Sequence, residues 1–137
     1  VQEIESALSH QKIQGLFLLC FENERPPRGA LGYFDWLFAG HFTSLLKNQV
    51  LTGKKGDVLY TPILWNGSTL HFLVMGGGYL DDDGTRPAFD EKLLNQALTR
   101  AEGLRLENLG IVSGDWNFTG NEKQITELEK RKICVLN

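Results

Sequence analysis

The chain has 137 residues, of which 42% are hydrophobic, 10% aromatic and 23% charged. That is enough for one domain with its own core, residues 1–137, and it excludes disordered, collagen-like and disulfide-scaffold classes. Fourteen Lys plus Arg against seventeen Asp plus Glu leave a formal net charge of -3 with no dense basic block, so no nucleic-acid partner is expected. The apolar runs are too short to span a bilayer, and Glu3 and Glu5 stand where a secretion signal would be basic, so no membrane partner and a cytoplasmic location are expected.

Residues 16–21, Leu-Phe-Leu-Leu-Cys-Phe, form a continuous apolar run suited to a central strand covered on both faces. Pro26 and Pro27 then hold the backbone in a loop. From Ala30 the period changes: Leu31, Phe34, Leu37, Phe38, His41, Phe42, Leu45 and Leu46 recur at three- and four-residue spacing, which predicts one helix through that stretch. Gly32 and Gly40 weaken it, and close packing would be their compensation. Residues 58–65 read as a strand, and Asn66-Gly67 as the two-residue turn of a hairpin with residues 70–75. Gly76, Gly77 and Gly78 follow, then the acidic turn Asp81-Asp82-Asp83-Gly84.

A second helix is predicted from an Asp90 cap to Gly103, with Leu93, Leu94, Ala97, Leu98 and Ala101 inward. Residues 109–112 read as a short strand. Thr119 and Glu122 have the spacing of a capping box for a third helix, and residues 133–136 form a last strand. Strands joined through helices, with one hairpin inserted, predict an α/β domain with a mixed sheet.

Little in the sequence announces chemistry. His10, His41 and His71 have no metal-ligand spacing with one another or with a cysteine, and no nucleophile elbow occurs. No catalytic residue, metal ligand or cofactor is therefore assigned. Cys20 and Cys134 lie in apolar runs and are expected to be buried thiols. The aspartate run lacks the alternation and closing glutamate of a calcium loop, so it reads as a solvated turn. Gly76, Gly77 and Gly78 are the candidate ligand-binding residues, since a glycine loop after a strand can turn backbone N–H groups toward phosphate oxygens. Neither a Walker lysine nor the G-x-G-x-x-G spacing accompanies them.

The stretch Arg25-Pro26-Pro27-Arg28-Gly29-Ala30-Leu31-Gly32-Tyr33-Phe34-Asp35-Trp36 resembles a segment in the amino-terminal domain of leucyl aminopeptidases, the hexameric zinc exopeptidases. There a Pro-Leu-Arg-Gly segment leads into a helix carrying Asp-Trp. Arg28, Gly29, Gly32, Asp35, Trp36, Gly40 and the pair Leu45-Leu46 match that pattern, and residues 52–62 and 74–78 are similar to later strands of the same domain. The resemblance implies a macro-domain-like fold, a mixed sheet of about six strands flanked by three helices, with residues 1–4 as the extra first strand. It also implies that the family's zinc sites are absent, because they belong to a separate catalytic domain whose signature does not occur here.

On this reading the chain is not an enzyme but an interaction, assembly or regulatory module. Its partners would be a second copy, another protein or a peptidase-like catalytic chain. Arg28, Gly29, Gly32, Asp35 and Trp36 would be structural or interaction residues, with the Asp35 carboxylate holding the Arg28-Gly29 loop and Trp36 covering that loop's apolar side. The alternative is a macro-type binder of a nucleotide or ADP-ribose through the Gly76, Gly77 and Gly78 loop.

Overall fold

A computed structural model of the chain describes residues 2–10, 12–118 and 122–137. Its helices are α1 (Gln2–Ser9), α2 (Gly29–Leu37), α3 (His41–Lys47), α4 (Glu91–Gly103) and α5 (Glu122–Lys130), and its strands are β1 (Gly15–Cys20), β2 (Val58–Trp65), β3 (Ser68–Gly76), β4 (Leu109–Val112) and β5 (Cys134–Leu136). The strands form one mixed sheet in the order β2-β3-β1-β4-β5. β1 runs parallel to β3 and β4, β4 parallel to β5, and β2 antiparallel to β3.

The apolar run at β1 is buried throughout because it occupies the middle of the sheet. Its alternate residues serve two cores. Leu16, Leu18 and Cys20 join Phe34, Phe42 and Phe72 under α1, α2 and α3, while Phe17, Leu19 and Phe21 join Leu94, Ala97 and Leu128 under α4 and α5. The Phe72 ring lies 5.1 Å from Phe34 and 5.7 Å from Phe42, a tilted and an edge-on contact.

Several expectations hold at residue level. The Asp90 carboxylate accepts from the Leu93 N–H at 3.1 Å and caps α4. Asn66 and Gly67 both have positive φ, 49° and 78°, as a type I′ turn requires.

Others are corrected. Among the described residues the sheet has five strands, not six. Val1 lies outside the described residues, and residues 2–4, expected as a strand, open α1 instead. Ile4, Ala7 and Leu8 are buried together because they share one face at helical spacing, which an alternating strand could not achieve.

The helices number five among the described residues, where three were expected. The long helix predicted from Ala30 is two helices, divided where Ala39 (φ 55°) and Gly40 (φ 88°) take left-handed backbone. Both halves still deliver phenylalanines to one core, so the apolar periodicity continues across the break. Cys20 is buried as expected, but Cys134 is exposed, because it opens the short edge strand β5. The Thr119 half of the predicted capping box lies outside the described residues, although Glu122 does begin α5.

Candidate functional site

In open α/β sheets ligands gather beyond the carboxyl ends of the parallel strands. Here β1, β3 and β4 send three connections to that end. The first carries Glu24, Arg25, Arg28 and Gly29, the second Gly77, Gly78 and Arg86, and the third Asp115 in a single 3-10 turn, Ser113–Asp115.

These connections are tied together by polar groups. Glu24 Oε1 accepts from the Arg28 N–H at 3.2 Å and lies 3.4 Å from Arg86 Nη2. Asp115 Oδ1 accepts from the Ala30 N–H at 3.0 Å, in the first turn of α2. The Arg86 guanidinium also stands 5.4 Å from the centre of the Phe21 ring. Among the described residues, its Nη1 is buried without a hydrogen-bond partner.

Asp115 is only 3% exposed. Burial pushes its carboxyl up to about 6; the Ala30 N–H and the Arg86 charge pull it down, and Glu24 pushes it further up. Cys20, at the end of β1, is buried, and that burial raises its thiol to about 11, with the Arg25 charge pulling it down. No group of three or more His, Cys, Asp or Glu side chains that could hold a metal ion occurs among the described residues.

The motif glycines explain how the loops fit. Gly29 has φ 64°, and a Cβ there would stand 2.5 Å from Asp115 Oδ1 and 2.8 Å from Arg86 Nη2. A Cβ at Gly32 would collide with the Pro27 carbonyl. Arg28 enters the network through its backbone N–H.

Gly76, Gly77 and Gly78 have all three amides engaged by the protein. Gly76 N–H donates to the Asp57 carbonyl at 2.7 Å, Gly77 N–H to Cys20 at 2.8 Å and Gly78 N–H to Gly53 at 2.9 Å. These glycines let two backbones lie side by side: a Cβ at Gly76 would run into the Lys54 carbonyl, and one at Gly77 would stand 2.5 Å from the Phe21 ring.

Asp35 and Trp36 take different places from those expected. Asp35 does not hold the Arg28-Gly29 loop. Its Oδ1 accepts from the Thr43 N–H at 2.8 Å and its Oδ2 from the Thr43 hydroxyl at 2.6 Å, so it caps α3 in place of Gly40, which has no side chain. Trp36 covers no loop and is 74% exposed, because α2 turns Ala30, Leu31 and Phe34 inward and leaves Trp36 on its outer side. The Tyr33 ring lies 6.3 Å from it, with the Tyr33 hydroxyl donating to Glu5 of α1 at 3.1 Å.

His10 is exposed, while His41 and His71 are boundary residues: His41 Nε2 pairs with the Thr61 hydroxyl at 3.1 Å and His71 Nδ1 with the Tyr60 hydroxyl at 2.6 Å. The aspartate run is exposed throughout and turns on the Gly84 N–H bonding the Asp81 carbonyl.

Asp115 and Arg86 escaped the sequence reading. An acidic residue just past a buried strand was a usable signal for Asp115, but nothing in a polar loop marks Arg86. A scan against protein-family models and a search of curated proteins both return no match for this chain.

Proposed function

We propose that the chain is a non-catalytic module that works by protein association in the cytoplasm, in the manner its resemblance to the amino-terminal domain of leucyl aminopeptidases implies. The observation that carries this reading is Trp36. An indole left 74% exposed on a helix, beside the half-buried Tyr33, contributes little to its own fold. Tryptophan and tyrosine in such a position are the residues that anchor protein interfaces.

The nucleotide or ADP-ribose alternative draws no comparable support. It needs N–H groups free to meet a pyrophosphate, and the Gly76, Gly77 and Gly78 amides already donate to protein carbonyls.

Light scattering on the chain, alone and with a leucyl aminopeptidase catalytic domain, tests the proposal. Trp36→Ala should leave stability within about 0.5 kcal/mol, as surface changes do, while association falls by roughly tenfold or more. A parent that stays monomeric at high concentration and ignores the catalytic domain would overturn it. So would hydrolysis of leucine amide, or a Kd for ADP-ribose, ATP or NAD below about 100 μM, roughly 5.5 kcal/mol of binding.

A further inference from the structure

A cleft of about 410 Å³ lies at the opposite end of the sheet, where β1, β3 and β4 begin and the β2–β3 hairpin turns. That volume is in the range of small-molecule sites, about 300–1,000 Å³. Among the described residues, no Asp, Glu, Lys or Arg lines it. The lining combines the carboxamide residues Gln14, Asn66 and Asn108, three hydroxyl residues including Thr69, and Trp65, with His71 beside them.

These groups sit on fixed backbone. The Gln14 N–H donates to the Asn108 carbonyl at 2.8 Å, the His71 N–H donates to the Gln14 carbonyl at 2.9 Å, and Asn66 is held in the hairpin turn. Trp65 is half-buried against the core below α2 and α3 while also facing the cleft. Among the described residues, the three carboxamides have no protein hydrogen-bond partner for their side chains, whereas the His71 ring is bonded to Tyr60 through Nδ1.

From this lining we infer that the cleft binds a neutral saccharide, free or as the end of a glycan. A phosphate or carboxylate ligand would find no charge to replace its water. A pyranose presents hydroxyls that donate and accept at once, which carboxamides answer with an acceptor and two donors on one plane. Its C–H face is apolar and stacks on an indole, whose broad ring gives contact area at small cost in side-chain freedom.

Amide NMR titration of the whole chain with N-acetylglucosamine, its β-linked dimer and glucose 6-phosphate tests the inference. Saturable shifts are expected at residue 14, residues 65–71 and residue 108 with the neutral sugars, with binding weakened about tenfold by Gln14→Ala, an exposed position that leaves the fold intact. Trp65→Phe, which keeps an apolar ring, should weaken it less. A dimer that binds at least as well as the monosaccharide identifies a glycan end, and a weaker dimer identifies a free sugar. No saturable shift up to about 50 mM, tighter binding of glucose 6-phosphate, or binding unmoved by both substitutions would each overturn the assignment.

Discussion

Asp115 makes the carboxyl-end cluster sensitive to pH in an unusual direction. Its carboxyl is harder to ionise in the folded protein than in the unfolded chain, with a folded-state value of about 6 against an ordinary 3.8. The unfolded state therefore holds fewer protons between those values, and this residue's contribution to stability falls as pH rises through them. The penalty is absent below about pH 4 and complete above about pH 6, on the order of 3 kcal/mol. Asp115→Asn keeps a carbonyl oxygen for the Ala30 N–H and cannot ionise. Denaturant melts should show parent and variant closest at acidic pH, with the variant gaining on the parent toward neutrality. A parent that gains on the variant instead would mean that Arg86 outweighs burial. Asp35 offers a second residue-scale test. Asp35→Ala removes the cap of α3 and should cost roughly 1–2 kcal/mol in a urea melt, whereas an unchanged midpoint would show the Thr43 bonds to be replaceable by water.

At the scale of elements, two glycines within one predicted helix have opposite roles. Gly32 lets α2 pass close to Pro27, and Gly40 breaks the helix with φ 88° and open space, nothing within 4 Å, where a Cβ would stand. Gly40→Ala should fold and lose about 1–2 kcal/mol from left-handed backbone, while Gly32→Ala should lose more, because a backbone carbonyl must move. A Gly40→Ala variant more stable than the parent would show that the two helices prefer to fuse. The same pair explains what the sequence could reveal. Phe34, Phe38 and Phe42 keep helical spacing across the break, so periodicity alone predicts one helix. The Asp35–Thr43 cap, which depends on that break, was hidden with it. By contrast, the Asp90 cap and the Asn66-Gly67 turn are local chemistry and were legible in full. Ile4, Ala7 and Leu8 carried a helical signal that the expectation of an extra strand obscured.

For the whole molecule, the β2 edge of the sheet is guarded against association by pairing. β2 lies at one end of the strand order. Its two-residue turn makes Trp65 and Ser68 a hydrogen-bonded pair, so alternation directs the backbone groups of Val58, Tyr60, Pro62 and Leu64 outward. Two of these outward groups are protected. Pro62 has no N–H to offer, which is why a proline fits inside this strand, and Arg100 Nη1 donates to the Val58 carbonyl at 2.8 Å. Leu64, 76% exposed beside them, would otherwise mark a pairing edge. A variant combining Pro62→Val with Arg100→Ala should therefore add concentration-dependent association through β2, seen as a larger sedimentation coefficient. Adding Trp36→Ala should not reverse that gain, since Trp36 belongs to α2 and not to the edge. An edge variant that sediments like the parent would show that the strand is protected by more than these two residues. Reversal by Trp36→Ala would show that a single surface, reaching from α2 to the edge, governs association.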